Sequence, residues 1–176
     1  MRRAISLVGL GIALVGIAIS VGSVRPAPIR VVETFDRKCS SCHGKEGSML
    51  EKGFEKKYAT ASELREMVES MPGAIGMRAS ELDAMMAYVR AISRQEPFLV
   101  WVEWRGDMLL GEVSPTGARV DARAKRESLR VERPQASQWR ITLPKGVKPE
   151  DVEITAQRGG VRTTLRLKDS PYSHTK

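Results

Sequence analysis

At Pro97 the hydrophobic pattern of this 176-residue chain changes period, from one apolar residue every three or four positions to one every two. Upstream, "ASELREMVESMPG" (61–73) sets Leu64, Met67, Val68 and Met71 at i, i+3, i+4 and i+7, which is one face of a helix. Thr60-Ala-Ser-Glu63 has the form of a capping box at its start, and Gly73 that of a stop. "RASELDAMMAYVRAIS" (78–93) repeats the design, with Ser80-x-x-Asp83 opening it and Leu82, Met85, Met86, Val89 and Ile92 as the stripe to be buried. Downstream, "FLVWVEW", "DMLLGEV", "SLRVER", "QWRITL", "DVEITAQ" and "VRTTLRL" read as short strands. Turn signals at Arg105-Gly106-Asp107, Ser114-Pro115-Thr116-Gly117, Pro144-Lys-Gly146 and Arg158-Gly159-Gly160 divide them. The fold class expected is therefore α + β in series: a helical domain over residues 31–96, then an all-β sandwich or partly open barrel over 98–169.

A third element precedes both. Arg2 and Arg3 lead into an uncharged, largely apolar run from Ala4 to Val24. As a helix that run would be about 31 Å long, against a hydrocarbon core of about 30 Å. A cleavable signal peptide has a shorter apolar region, so length favours an uncleaved transmembrane anchor over a signal peptide in residues 1–24. The arginines would hold the N-terminus in the cytoplasm, as a single pass through the inner membrane. Either reading puts the rest of the chain on the periplasmic, extracytoplasmic side. Residues 25–30, with two prolines, read as a stiff linker, and 170–176 as a flexible tail.

Both cysteines and one of the two histidines fall within five positions, in "CSSCHG" (39–44). A structural zinc site needs four ligands, and beyond Cys39, Cys42 and His43 only the distant His174 remains. A thioredoxin-like pair expects a βαβ surround, which this pattern lacks. Cys-x-x-Cys-His is the signature of covalent c-type haem attachment. Two thiols three residues apart on a helical turn can reach two vinyl groups on one porphyrin edge, and the next side chain then sits beneath the iron. The cofactor expected is one haem c per chain, with Cys39 and Cys42 as covalent attachment points and His43 as proximal axial ligand. Export of the domain agrees with that chemistry.

Over about residues 30–94 the chain resembles class I c-type cytochromes. "FDRKCSSCHG" is similar to the end of that family's first helix, with Phe35 four residues before the first cysteine, and "AYVRAI" to its last helix. The resemblance implies a small all-α haem domain in which Phe35 meets Tyr88. It also implies a methionine as sixth iron ligand, often in a Met-Pro pair. Met71-Pro72 is the only such pair here, Met77 is the second choice, and Met49 stands well behind. Met67, Met85 and Met86 read as core. Three departures accompany the likeness. The loop from His43 to Met71 is short, it contains no proline, and Val31 occupies the position where the family usually has glycine.

Net charge is +8, and its distribution matters more than its size. Residues 31–97 nearly balance, whereas 98–176 carry fifteen basic against ten acidic side chains. The basic residues alternate along strands without clustering, which excludes an ordinary nucleic-acid site. They suit docking of the β-rich part onto a redox protein partner or a larger membrane complex. Trp101 and Trp139 read as core and Trp104, beside a turn, as an exposed contact. Together these features predict one-electron transfer, as a membrane-anchored cytochrome c or a cytochrome subunit of a respiratory or photosynthetic complex, without independent catalysis. Two alternatives stay open: a haem-based gas- or peroxide-binding or sensing module with an open sixth position, and an assembly subunit whose β-rich part does the work.

Overall fold

Helix α1 (Val31–Lys38) begins without help from its own cap, since Arg30 makes no side-chain hydrogen bond there. In the computed structural model, which describes residues 29–167, the free N–H groups of its first turn are met from far along the chain. Val32 and Glu33 donate to the two carboxylate oxygens of Glu112, at 2.9 and 3.2 Å. A carboxylate at a helix N-terminus satisfies orphan donors and opposes the helix dipole. Glu112 is fully buried.

The remaining helices follow the sequence periodicity. Helix α2 (Ser40–His43) is a single turn that carries the cysteine motif. Helix α3 (Ala61–Glu69) starts at Thr60, whose hydroxyl accepts the Glu63 N–H at 3.2 Å, while the Glu63 carboxylate accepts from Ala59. It ends before the Gly73 stop, because Pro72 pushes Met71 into extended backbone. Helix α4 (Ala79–Arg94) opens at Arg78, with the Glu81 carboxylate accepting the Arg78 N–H at 2.8 Å, so the opening predicted at Ser80 is displaced. Leu82, Met85, Met86 and Val89 are buried along it.

Among the described residues eight strands follow, in two antiparallel sheets of four. They are β1 (Phe98–Arg105), β2 (Met108–Ser114), β3 (Arg119–Ala124), β4 (Glu127–Leu129), β5 (Val131–Glu132), β6 (Gln138–Thr142), β7 (Val152–Arg158) and β8 (Val161–Arg166). One sheet has the order β1-β2-β6-β5 and the other β4-β3-β7-β8. A shared apolar core, with Leu99, Leu109, Trp139, Ile141, Ile154 and Leu165 among its members, lies between them. Strand β3 is not among the runs that the sequence marks as strands. Its outward Arg119 and Arg123 pair with Asp121 and Glu153, while Ala122 and Ala124 face inward and are buried.

The serial arrangement of an all-α domain and an all-β domain is not what forms. Among the described residues the protein is mixed α/β with a large strand part, and no all-α cytochrome domain is present there. Strand β1 is the reason. Its alternate side chains serve two cores: Phe98, Val100 and Val102 pack with the helices, and Leu99 packs with the second sheet. Tyr88 of α4 reaches the same seam, meeting Phe98 at a ring separation of 5.0 Å and sharing a 2.8 Å hydrogen bond with the buried Ser114 hydroxyl. The helices are therefore a layer on the β1-β2 sheet. The transmembrane anchor predicted at 4–24 and the tail bearing His174 lie outside the described residues; among those, no helix is long and apolar enough to cross a membrane.

Glu112 gives the seam a pH dependence. Burial pushes its carboxyl above the usual carboxylate range, against the pull of the two backbone N–H groups and of Arg30. Such a group stabilises the fold most below its unfolded value of about 4.3, and that contribution is lost as pH rises through the folded value. Glu112→Gln is expected to flatten this slope. In urea titrations the variant should gain on the native chain as pH rises above about 4, by about 1.4 kcal/mol for each unit separating the two values. A difference that stays constant with pH would contradict the assignment.

Candidate functional site

The cysteine motif is fixed by backbone hydrogen bonds on both sides. Cys39 N–H donates to Phe35 at 2.8 Å and His43 N–H to Cys39 at 3.0 Å, so the motif continues α1 through one further turn. After Gly44 the chain folds back, and Met49 N–H donates to the His43 carbonyl at 3.0 Å. The Phe35 ring lies 6.5 Å from the imidazole of His43 at an interplanar angle of 32°. Tyr88 meets Phe35 edge-on at 5.2 Å and 85°, the contact expected between those two rings. Edge-to-face pairs of this kind add to burial in holding ring positions.

Beside this motif lies a cavity of about 290 Å³. Cys39, His43, Met71 and Met77 all line it, and Phe35, Leu50, Phe54, Val68 and Val89 supply much of its apolar wall. The segment between α3 and α4 adds Met71, Ala74 and Met77 to its lining. Gly73 sits there in close contact with the motif: a Cβ at that position would fall 2.9 Å from the Lys38 carbonyl oxygen and 3.0 Å from Cys39 Sγ. Only glycine permits this approach, which sets Met71-Pro72 against the first cysteine. Ser93, fully buried on α4, holds the chain on either side of Phe54 by accepting Gly53 N–H at its carbonyl and Glu55 N–H at its hydroxyl.

The predicted site residues do not all converge. Cys42 is exposed and does not line the cavity, although the turn of α2 places it beside the others in sequence. Met49 is in the lining, yet 74% of its surface is exposed. Lys57 and Glu51 also line the cavity and pair with each other at 2.5 Å. Neither stands out in the sequence, since no spacing rule singles them out. Trp139 is buried, with its indole N–H on the Glu112 carbonyl at 3.0 Å, whereas Trp104 is exposed.

Other chemistries of Cys-x-x-Cys fit less well. Both thiols are free. Among the described residues no group of three or more His, Cys, Asp or Glu side chains is placed to hold a metal ion, so a tetrahedral zinc set does not assemble there. Burial pushes the Cys39 thiol up in spite of the neighbouring Lys38, the reverse of the lowered value that makes a redox cysteine reactive.

A c-type haem suits the donors that remain. Cys39 offers a thiol at the cavity wall, His43 an imidazole, and Met71 and Met77 thioethers, inside an apolar enclosure. Cys42 would have to turn inward, a rotamer change that exposed side chains make readily. No protein-family model matches the chain, and neither a curated protein nor a solved structure is significantly similar to it.

Proposed function

We propose that this protein binds one haem c and transfers single electrons, as a membrane-anchored cytochrome or the cytochrome subunit of a larger redox complex. The observation that carries the reading is the convergence of Cys39, His43, Met71 and Met77 on one apolar cavity beside a Cys-x-x-Cys-His turn. The group, when bound, would supply reversible one-electron chemistry at its iron.

The chain's own residues do the rest. Cys39 and Cys42 would attach the porphyrin, and His43 would ligate from α2, its ring steered by Phe35 and its backbone held by Met49 N–H. A methionine from the α3–α4 segment would fill the sixth position and raise the reduction potential relative to a second imidazole. Leu50, Phe54, Val68 and Val89 would keep water from the metal. The exposed side chain of Met49, in the cavity lining, would offer an apolar approach for electron exchange. The basic β-rich part is the proposed attachment to a partner or complex, and residues 4–24 the proposed tether to the inner membrane.

The test is the visible spectrum of protein produced with c-type haem maturation, oxidised and reduced, with and without CO. Expected are covalent haem that survives denaturing electrophoresis, a low-spin spectrum with a methionine-to-iron charge-transfer band, and no CO shift. Cys39→Ser with Cys42→Ser should abolish attachment. A high-spin protein that binds CO would replace electron transfer by gas or peroxide binding, and a chain without covalent haem would end the reading.

A further inference from the structure

Five of the chain's eight methionines, Met49, Met67, Met71, Met77 and Met85, line the cavity that His43 lines. A six-coordinate iron with His43 on one side has one position left for them. Helical placement or exposure sets three of the five apart. Met85 is buried within α4, Met67 is fixed inside α3, and Met49 is largely exposed. Met71 and Met77 remain, both in the connecting segment, and Met77 also packs partly against the helical core. Each is half-buried, and each sits just outside a helix: Met71 two residues after the end of α3, Met77 immediately before Arg78, which opens α4.

The segment between them can shift without emptying the core. One short turn joins the two, with Ala74 N–H on the Met71 carbonyl at 2.9 Å and Met77 N–H on the Ala74 carbonyl at 3.0 Å. Gly73 fixes the front of that turn against Cys39. Its back is free: Ile75 is 74% exposed, and Gly76 adopts a positive φ of 78° with open space where a side chain would be. Moving residues 75 and 76 therefore costs little buried surface, and Met77 gives up only part of its packing against the core, while α3 and α4 keep both thioethers within the lining.

We infer that Met71 and Met77 are alternative donors to the same coordination position, so that the site exchanges between two methionine-ligated states. This rests on the haem reading proposed above. The states differ in the strain of the turn and in the cover over the metal, and each sets its own reduction potential. Anything that binds one arrangement of the 72–77 segment better, a docked partner included, shifts the population and with it the apparent potential.

The experiment uses haem-loaded protein carrying Met71→Leu, Met77→Leu, or both. Leucine keeps the apolar volume, so the fold should survive, and circular dichroism checks that it does. Each single variant is expected to remain low-spin, to keep the methionine-to-iron band and to refuse CO, with the two singles showing different potentials. Only the double variant should lose the band and bind CO stoichiometrically. The inference is overturned if one single variant behaves like the double, or if the double keeps the band. In either case haem is attached and only the exchange fails. Native protein that attaches no haem overturns the exchange together with the haem reading itself, and is told apart by that lack of attachment.

Discussion

Cut after Pro97, the chain is expected to lose its helical structure and not to release a free-standing helical domain. Phe98, Val100 and Val102 are buried in the helical core, and all three are removed by the cut. Full burial of one such side chain contributes about 1.5–3 kcal/mol. Three of them amount to roughly half or more of the 5–15 kcal/mol by which a domain is ordinarily stable. Tyr88 then loses both Phe98 and the Ser114 hydroxyl, and the first turn of α1 loses Glu112. The fragment is also short for a single core, in a size range where small domains are already marginal. Far-UV circular dichroism and amide dispersion of residues 29–97, compared with 29–167, would check this. A cooperative melt of the shorter fragment would restore the self-contained helical domain that the structure replaces.

The second large effect is centred on Gly111. This residue of β2 lies between β1 and β6, paired with Trp101 on one side and Trp139 on the other. A Cβ there would fall 2.0 Å from Trp139 Cζ2 and 2.2 Å from the Val100 carbonyl oxygen. The indole has no room to retreat, because its N–H is held by the Glu112 carbonyl and the residue is fully buried. Gly111→Ala should therefore destabilise by about 3 kcal/mol or more, the upper end of what overpacking costs. Pairing it with Trp139→Phe tests the geometry. The smaller ring relieves one clash, but the Val100 carbonyl is backbone and stays, so the double variant should regain only part of the loss. Urea midpoints of the single and double variants decide it, and a near-neutral Gly111→Ala would show that β1 and β2 can separate at this point.

What was legible in the sequence is what depends on neighbours along the chain. The stripes of α3 and α4 came from their 3.6 period, and the Thr60–Glu63 cap from two residues three apart. Most strands were visible as runs of β-branched and aromatic residues. Strand β3 was hidden because its inward positions are Val120, Ala122 and Ala124, too small to stand out among arginines. The opening of α4 was misplaced because Arg78 is a poor cap by composition and works only through Glu81 reaching back to its N–H. Glu112 could not have been read at all. A carboxylate in a strand belongs on a wet face, and this one is dry only because α1 lies across it. The same limit explains the error in fold class. A change of period marks where helices give way to strands, but it does not say whether the two halves share side chains, and β1 makes them do so.

For the candidate site, the motif spacing marked Cys39, Cys42 and His43, and the Met-Pro pair marked Met71. The closeness of Gly73 to Cys39 and the support from Ser93 needed three dimensions. So did the exposure of Cys42, since a Cys-x-x-Cys turn does not fix which way each thiol faces.

The double duty of β1 also bears on how such a protein can be recombined. Only Gln95, Glu96 and Pro97 separate α4 from β1, and Pro97 is itself buried. There is no hinge in which to splice a spacer, a tag or a protease site, and no cassette boundary at which the helical layer could be transplanted onto another sandwich. A chimera built at this junction would have to carry Phe98, Val100 and Val102 with the helices and still present Leu99 to the new sheet. Exchange between relatives should therefore conserve the helices, β1 and β2 as a single heritable block, with tolerated breakpoints falling at the outlying turns such as Arg158-Gly159-Gly160, whose residues are exposed.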